Sequence, residues 1–148
     1  MKTPQRILVP TDFSKHSEKA LTEAIGFAKK FDAQIYLLHV VEDIQACAFD
    51  YCISEELIAQ YKTDSVAASR DKLDQAVKKF GLAENVRMTA DVRLGIPYDE
   101  ILKEEQEKDI DLIIIATHGK TGFLHHIMGG VAERVLRGAK CIVMLVKP

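Results

Sequence analysis

Residues 112–122 have the sequence LIIIATHGKTG, an apolar run that opens into a loop containing glycine. The run from Leu112 to Ala116 is typical of a strand buried on both faces of a parallel sheet. Two further glycines, Gly129 and Gly130, stand before the next helical stretch. Missing side chains let backbone N–H groups approach a ligand, and a helix N-terminus adds partial positive charge. This layout predicts that the chain binds an anionic small molecule here.

Five candidate strands alternate with four candidate helices, which predicts a doubly wound α/β fold of three layers with helices on both faces of a parallel sheet. The third strand alternates apolar and polar residues, so we expect it at a sheet edge with one face in water. The predicted strands are Arg6 to Pro10, Gln34 to Val41, Val86 to Leu94, Ile110 to Ala116 and Cys141 to Val146.

Apolar residues at helical spacing mark the four helices between these strands. Gly81 is expected to end the long second helix, which begins near Ser54. Pro97 and the acidic residues after it predict the start of the third helix. The inward stripe of the last helix, which Gly138 ends, is predicted to be Val131, Ala132, Val135 and Leu136.

Length and composition indicate one domain, since the chain has 148 residues and is 47% hydrophobic. The net charge is -2, with 20 basic and 22 acidic residues interspersed, so we expect no nucleic-acid or membrane partner. No signal-like or membrane-spanning run is found, which favours a soluble, cytoplasmic protein. The three cysteines lack CxxC spacing, which argues against a disulfide framework and a structural zinc site.

Two loops that follow apolar strands carry the candidate site. These are Pro10 to Ser14 after the first strand and Thr117 to Gly119 after the fourth. If the two strands are neighbours where the winding reverses, both loops face one crevice. Asp12 would then accept hydrogen bonds from a ribose, while the glycine-loop amides hold phosphate. Capping of the first helix explains Asp12 and Ser14 equally well, so both interpretations stay open.

Several familiar sites are disfavoured. In the P-loop signature a glycine should stand five residues before Gly119, where this chain has Ile114. No G-x-G-x-x-G follows a strand, so a dinucleotide fingerprint is missing. His118, His125 and His126 lack helical spacing or a clear carboxylate partner, so we expect no metal site. His118 is interpreted as a neutral loop residue near phosphate.

The successive blocks of the chain resemble the universal stress protein family over essentially its whole length. They are Val9 to Ser14, Leu37 to Val40, Gly95 to Pro97, Asp111 to Thr121 and Gly129 to Leu136. The resemblance implies a flavodoxin-like, Rossmann-like five-stranded parallel sheet in strand order 3-2-1-4-5. It also implies a homodimer, commonly formed through the last strand, Cys141 to Val146.

Many members of that family bind ATP through the motif G-x2-G-x9-G-[ST]. On this sequence the four fixed positions are Ala116, Gly119, Gly129 and Gly130. Ala116 adds a methyl group where the family has glycine. Gly130 lacks a hydroxyl that the family directs at phosphate, and a lost neutral hydrogen bond is worth about 0.5 to 1.5 kcal/mol, or up to roughly tenfold in affinity. We therefore expect weaker binding rather than none.

The resemblance also implies positions for the nucleotide. Around adenine and ribose it places Pro10, Thr11 and Asp12, with Val40 against the ring and Ile115 and Ala116 beneath the nucleotide. Along the phosphates it places His118, Gly119, Gly129, Gly130, Val131 and Ala132. The apolar members of this set are expected to be buried in almost any version of the fold, so their identity adds little independent support.

Three functions follow from these residues. The leading one is a dimeric regulatory or stress-response module that binds ATP, ADP or AMP, with magnesium as an accompanying ion. The second is a dimeric interaction protein of the same fold that binds no nucleotide. The third is a slow ATPase, which the sequence favours least because the chain has no Walker lysine and no nucleophile with an assigned base. No catalytic residue is assigned.

Overall fold

A computed structural model describes residues 3–44, 52–120 and 128–148. Cys47, His125, His126 and the middle of the loop between Glu42 and Ser54 lie outside the described residues. Five parallel strands form one sheet in the order β3-β2-β1-β4-β5, which confirms the predicted fold. The strands are β1 Arg6–Pro10, β2 Gln34–Glu42, β3 Met88–Gly95, β4 Leu112–Ala116 and β5 Ile142–Val146.

Helices cover both faces of the sheet. They are α1 Lys15–Phe31, α2 Glu55–Ala76, α3 Pro97–Glu107 and α4 Gly130–Gly138. One core cluster joins α1 and α2 to the sheet, and a second joins α3 and α4 to the opposite face. Within the described ranges, no helix is long and apolar enough to cross a bilayer.

The end of α2 differs from the prediction, because Gly81 does not terminate the helical segment. A π-helical turn, Val77–Leu82, continues α2 through this glycine. A Cβ atom at Gly81 would lie 3.2 Å from the Cβ of Met88, so the missing side chain lets the turn pack closely against the start of β3. The chain then reverses through the amide of Val86, which donates to Gly81 O at 3.0 Å.

The last strand begins at Ile142 rather than at Cys141. The backbone amides of Lys140 and Cys141 both donate to Glu105 Oε1, each at 2.7 Å, instead of joining the sheet. The Cys141 side chain is half-buried against the core of the α3 and α4 face. Burial, reinforced by Glu105, raises the pKa of the Cys141 thiol to about 12. Cys141 therefore packs as a small apolar residue, because its thiolate is scarce at neutral pH.

The face of β3 that was predicted to be wet is partly covered by α3. The Arg93 side chain is only 18% exposed. Its guanidinium pairs with Glu104 at 2.6 Å and Glu100 at 3.4 Å, and also with Glu107. The sheet edge was predicted correctly, but the polar residue on it meets carboxylates of the neighbouring helix rather than solvent.

Half of the stripe predicted for α4 is also exposed. Ala132 and Val135 are buried, whereas Val131 is 37% and Leu136 is 43% exposed. The buried pair is three residues apart and faces the sheet, so the other two lie on the flanks of the helix. The expectation that Val131 is buried was wrong, because this residue lies on a flank of the helix and lines the pocket described below.

Candidate functional site

The loops after β1 and β4 lie together at the carboxyl edge of the sheet. Ile7 pairs with Leu112 and Leu8 with Ile113, so the two strands are neighbours as the crevice prediction required. Asp12 Oδ2 accepts a hydrogen bond from the Lys120 amide at 2.8 Å. A carboxylate from the first loop thus binds the backbone of the second.

Asp12 and Ser14 have different local roles. Ser14 is the N-cap of α1, and its Oγ accepts from the amide of Ser17 at 3.2 Å. Asp12 Oδ1 accepts from the amide of Ser14 at 3.0 Å, which braces the turn before the helix. Burial raises the pKa of Asp12, but the hydrogen bonds from Ser14 and Lys120 outweigh it and leave the pKa below its ordinary value. Asp12 is therefore an ionised acceptor at neutral pH.

The first loop glycine is required by a close contact. A Cβ atom at Gly119 would lie 2.5 Å from Asp12 Oδ2, well inside van der Waals distance. Any side chain there would push the carboxylate away from the Lys120 amide. Gly119 thus lets the two loops approach each other.

The glycine pair Gly129 and Gly130 at the start of α4 differs from Gly119, because Gly130 leaves free space beside the backbone. Gly129 is the N-cap of the helix and donates its amide to Thr117 O at 2.7 Å. Because Gly129 has no side chain, no side-chain oxygen accepts from the amides of the first turn, and these amides remain suited to an anion. A Cβ atom at Gly130 would meet nothing within 4 Å. The structure therefore has room for the side chain that the family motif places at this position.

His39 and Phe13 form a stacked pair beside Asp12. Their ring centroids are 4.4 Å apart, and His39 Nδ1 donates to Thr11 O at 2.7 Å. Phe13 adopts a positive φ of 63°, and its amide donates to Thr11 Oγ1 at 3.0 Å. Burial lowers the pKa of His39, and the positive charges of Lys120 and Lys72 act in the same direction. The imidazole is neutral at pH 7.

Stability will depend on pH through this histidine. Because the folded-state pKa of His39 lies below 6.5, the unfolded chain binds more protons in the window below that value. The contribution of the neutral ring is complete above pH 6.5 and is lost as the pH falls. Urea unfolding between pH 7.5 and 5 should show wild type losing stability faster than His39→Gln. A difference between the two proteins that stays constant over this range would contradict the assignment.

All twelve residues that the resemblance assigned to a nucleotide line one pocket of about 600 Å³. This volume is typical of small-molecule sites. The structure brings these residues together from the loops and elements around β1, β2, β4 and α4. They are Pro10, Thr11, Asp12, Val40, Ile115, Ala116, His118, Gly119, Gly129, Gly130, Val131 and Ala132.

His118 lies half-buried in this lining. Its Nδ1 is 2.9 Å from Thr117 Oγ1, and its ring centroid is 6.3 Å from that of His16. The two imidazoles are near the start of α1 and the loop after β4. His118 is therefore a polar residue of the loop after β4 that lines the pocket.

The sequence interpretation missed a whole wall of the pocket, which α2 supplies. Tyr61, Ser65, Ala68, Ser69 and Lys72 line it. The signal was present as small and polar residues at positions i, i+4 and i+7 of one helix. Such spacing is also typical of a solvated helix face, and only packing against the sheet distinguishes the two.

A doubly wound α/β sheet whose pocket lies beyond the carboxyl ends of β1 and β4 defines the class of this protein. A model of the universal stress protein family matches residues 3–147. The chain therefore belongs to the universal stress protein family.

Relatives and solved structures agree with this assignment. Universal stress protein MJ0531 of Methanocaldococcus jannaschii is 34% identical over 143 residues, covering 97% of this chain and 82% of the relative. MJ0577 of the same organism is 28% identical, covering 97% of this chain and 94% of the relative. Its solved structure matches with a TM-score of 0.87 at 27% identity, covering 99% and 98% of the two chains.

A more distant solved structure shares the fold. The universal stress protein from Archaeoglobus fulgidus in complex with dAMP has a TM-score of 0.65 at 19% identity. The match covers 99% of this chain and all of the other.

Proposed function

We propose that this protein is a regulatory module that binds an adenine nucleotide in the pocket beyond β1 and β4. The observation that carries the proposal is the convergence of all twelve assigned residues, from separate segments of the chain, on one pocket. A family member of the same fold is described as a complex with dAMP. We further propose that the chain works as one domain, in the cytoplasm, without efficient catalysis.

The proposed binding mode follows from the groups around the pocket. The apolar walls at Val40 and Ile115 suit an adenine ring, because flat aromatic bases are stabilised by burial. Asp12 has lone pairs left after accepting two amides, so it can accept a ribose hydroxyl as well. The first-turn amides of α4 would hold the phosphates.

Calorimetric titration of ATP with magnesium into nucleotide-free protein tests this function. We expect saturable binding with one site per chain, and an Asp12→Ala variant should bind more weakly. Absence of saturable binding at millimolar ATP, ADP and AMP would overturn the proposal in favour of an interaction protein without nucleotide. Release of ADP in proportion to protein concentration, lost in Asp12→Ala, would instead favour a slow ATPase.

Restoring the missing hydroxyl of the motif should strengthen binding. In Gly130→Ser the new side chain enters open space at the first residue of α4, so it fits without displacing a neighbour. A hydroxyl that donates to the charged phosphate contributes about 1.5 kcal/mol at the lower end of the range for charged acceptors, so we expect ATP to bind roughly tenfold more tightly. Gly130→Ala is the matched control, because it adds the Cβ without the hydroxyl. Equal affinities for the two variants would contradict a phosphate contact at residue 130.

We propose that two copies associate through β5, which lies at the edge of the described sheet. Ile142 on this strand is 54% exposed, and an open apolar edge strand favours pairing with another chain. Light scattering should give about 33 kDa, twice the 16.6 kDa of one chain. The Ile142→Lys variant should give a lower mass in light scattering, closer to that of the single chain. A wild-type protein that stays at 16.6 kDa at micromolar concentration would refute the dimer.

A further inference from the structure

The pocket has a second lobe that the proposed binding mode does not fill. Val40, Ile115 and Ala132 pack with the core on the α3 and α4 face of the sheet, and they form the adenine side. Phe13 packs with the core on the opposite face, and His39 alternates with Val40 along β2. The α2 lobe, defined by Phe13, His39, Ser65, Ser69 and Lys72, therefore lies across the sheet edge from the adenine side.

Three polar residues of α2 line this lobe from one helix face. Ser65, Ser69 and Lys72 are spaced i, i+4 and i+7, so their side chains lie along the same stripe. Ser69 is 7% exposed and lies in the pocket lining together with Ser65 and Lys72. A hydroxyl that lines a pocket can donate a hydrogen bond to an oxygen of a bound molecule. Ser65 and Ser69 therefore offer two hydroxyl donors to a polar ligand in the lobe.

The charge of the α2 lobe is positive. Lys72 Nζ lies 5.1 Å from the centroid of the Phe13 ring, which His39 in turn supports. Among the described residues, no carboxylate forms a salt bridge with Lys72, although the chain pairs many of its other basic residues. A cation held against an aromatic ring, beside two hydroxyls and without an acidic partner, favours an anion.

The number of donors distinguishes the kinds of anion. Two hydroxyls and one ammonium group are three donor groups along one stripe, because each hydroxyl donates one hydrogen and the ammonium group donates up to three. A phosphoryl group offers three terminal oxygens to match them, whereas a carboxylate offers two. Phosphate is therefore the better match for the α2 lobe.

We propose that the α2 lobe is a second phosphoryl subsite, in which Lys72 supplies charge and Ser65 and Ser69 donate hydrogen bonds. This inference rests on the proposed function, which places the ribose hydroxyls at Asp12, between the two lobes. A phosphoryl group on the 2′ or 3′ oxygen would enter the α2 lobe while the 5′ phosphate binds at the start of α4. The preferred ligand class is an adenosine phosphorylated at both ends of the ribose.

The test compares 5′-AMP with adenosine 2′,5′-bisphosphate and 3′,5′-bisphosphate by calorimetry. In wild type at least one bisphosphate should bind about tenfold more tightly than 5′-AMP, as expected for a charge-assisted contact. Lys72→Met and Ser69→Ala should remove this preference, because they lower the affinity for the bisphosphate much more than the affinity for 5′-AMP. Lys30→Met is the matched control, because Lys30 also lies over an aromatic ring, that of Phe31, at the far end of α1. It should keep the preference.

A second measurement separates this proposal from the proposed function. Pyrophosphate is titrated into wild type and Lys72→Met, and amide NMR shifts of α2 are followed. Shifts at Ser69 that vanish in Lys72→Met, without any binding of 5′-AMP, would support the subsite and overturn nucleotide binding. Binding of 5′-AMP with no tighter binding of either bisphosphate would overturn the subsite alone. A wild type that binds none of these probes overturns both.

Discussion

Replacing Arg93 by methionine is expected to lower the free energy of unfolding by about 3 kcal/mol or more. Arg93 lies on β3 with its side chain 18% exposed, and its partner Glu104 on α3 is 2% exposed. Its Nε also donates to Glu104 Oε2 at 2.8 Å. Carboxylates around the guanidinium outweigh burial and raise the pKa of Arg93 further above its usual value. The substitution leaves the carboxylate of Glu104 buried without its cation, which urea unfolding at pH 7 will measure.

The double variant Arg93→Met, Glu104→Met separates the cost of an unpaired charge from a general loss of packing. Replacing both members of a buried ion pair by apolar residues is often close to neutral, so the double variant should recover most of the lost stability. Lys103→Met is the exposed control, since Lys103 pairs with Asp99 and Glu100 at 51% exposure. Its loss should cost much less than the loss of Arg93, because water screens an exposed ion pair. A double variant as unstable as Arg93→Met would show that packing, not charge, sets the effect.

Arg93 also shows which structural features a sequence pattern can predict and which it cannot. Alternation along β3 correctly indicated an edge strand, because the period of a strand is a local property of its residues. It did not indicate that Arg93 faces carboxylates of α3, since a period says nothing about which element packs on a face. The exposed positions of α4 have a similar origin. Val131 and Leu136 are apolar, but of the predicted stripe only Ala132 and Val135 are buried.

Part of the candidate site could also be predicted before the structure was known, and part could not. The loops after β1 and β4 lie together as the family resemblance implied through its strand order, whereas the residues alone gave this only as a condition. The wall from α2 could not be anticipated, because Ser65, Ser69 and Lys72 look like an ordinary hydrated surface until the helix is placed over His39. The glycines also look equivalent in the sequence. Only the contacts reveal that Gly119 has no room for a side chain and that Gly130 has ample room.

Gly119→Ala is expected to weaken ATP binding by about tenfold or more. The new Cβ would lie 2.5 Å from Asp12 Oδ2, so the carboxylate must move. Asp12 is short and is held by the amides of Ser14 and Lys120, so it cannot move without losing the second of these hydrogen bonds. A displaced carboxylate would also lose the hydrogen bond proposed with a ribose hydroxyl, and a hydrogen bond to a charged group contributes about 1.5 to 3 kcal/mol, or roughly ten- to hundredfold in affinity. Calorimetry of ATP binding measures the loss.

Gly130→Ala is again the matched control, since it adds the same methyl group to the same motif where nothing lies within 4 Å. It should bind ATP about as well as wild type. Thermal unfolding of both variants reveals whether Gly119→Ala acts through global stability, because a folded variant with weak binding places the defect in the loop. Equal affinity of the two variants would mean that the contact between Asp12 and the loop after β4 does not shape the site. If Gly119→Ala loses ATP affinity and Gly130→Ala does not, the contact between Asp12 and the loop after β4 is what holds the two sides of the pocket together.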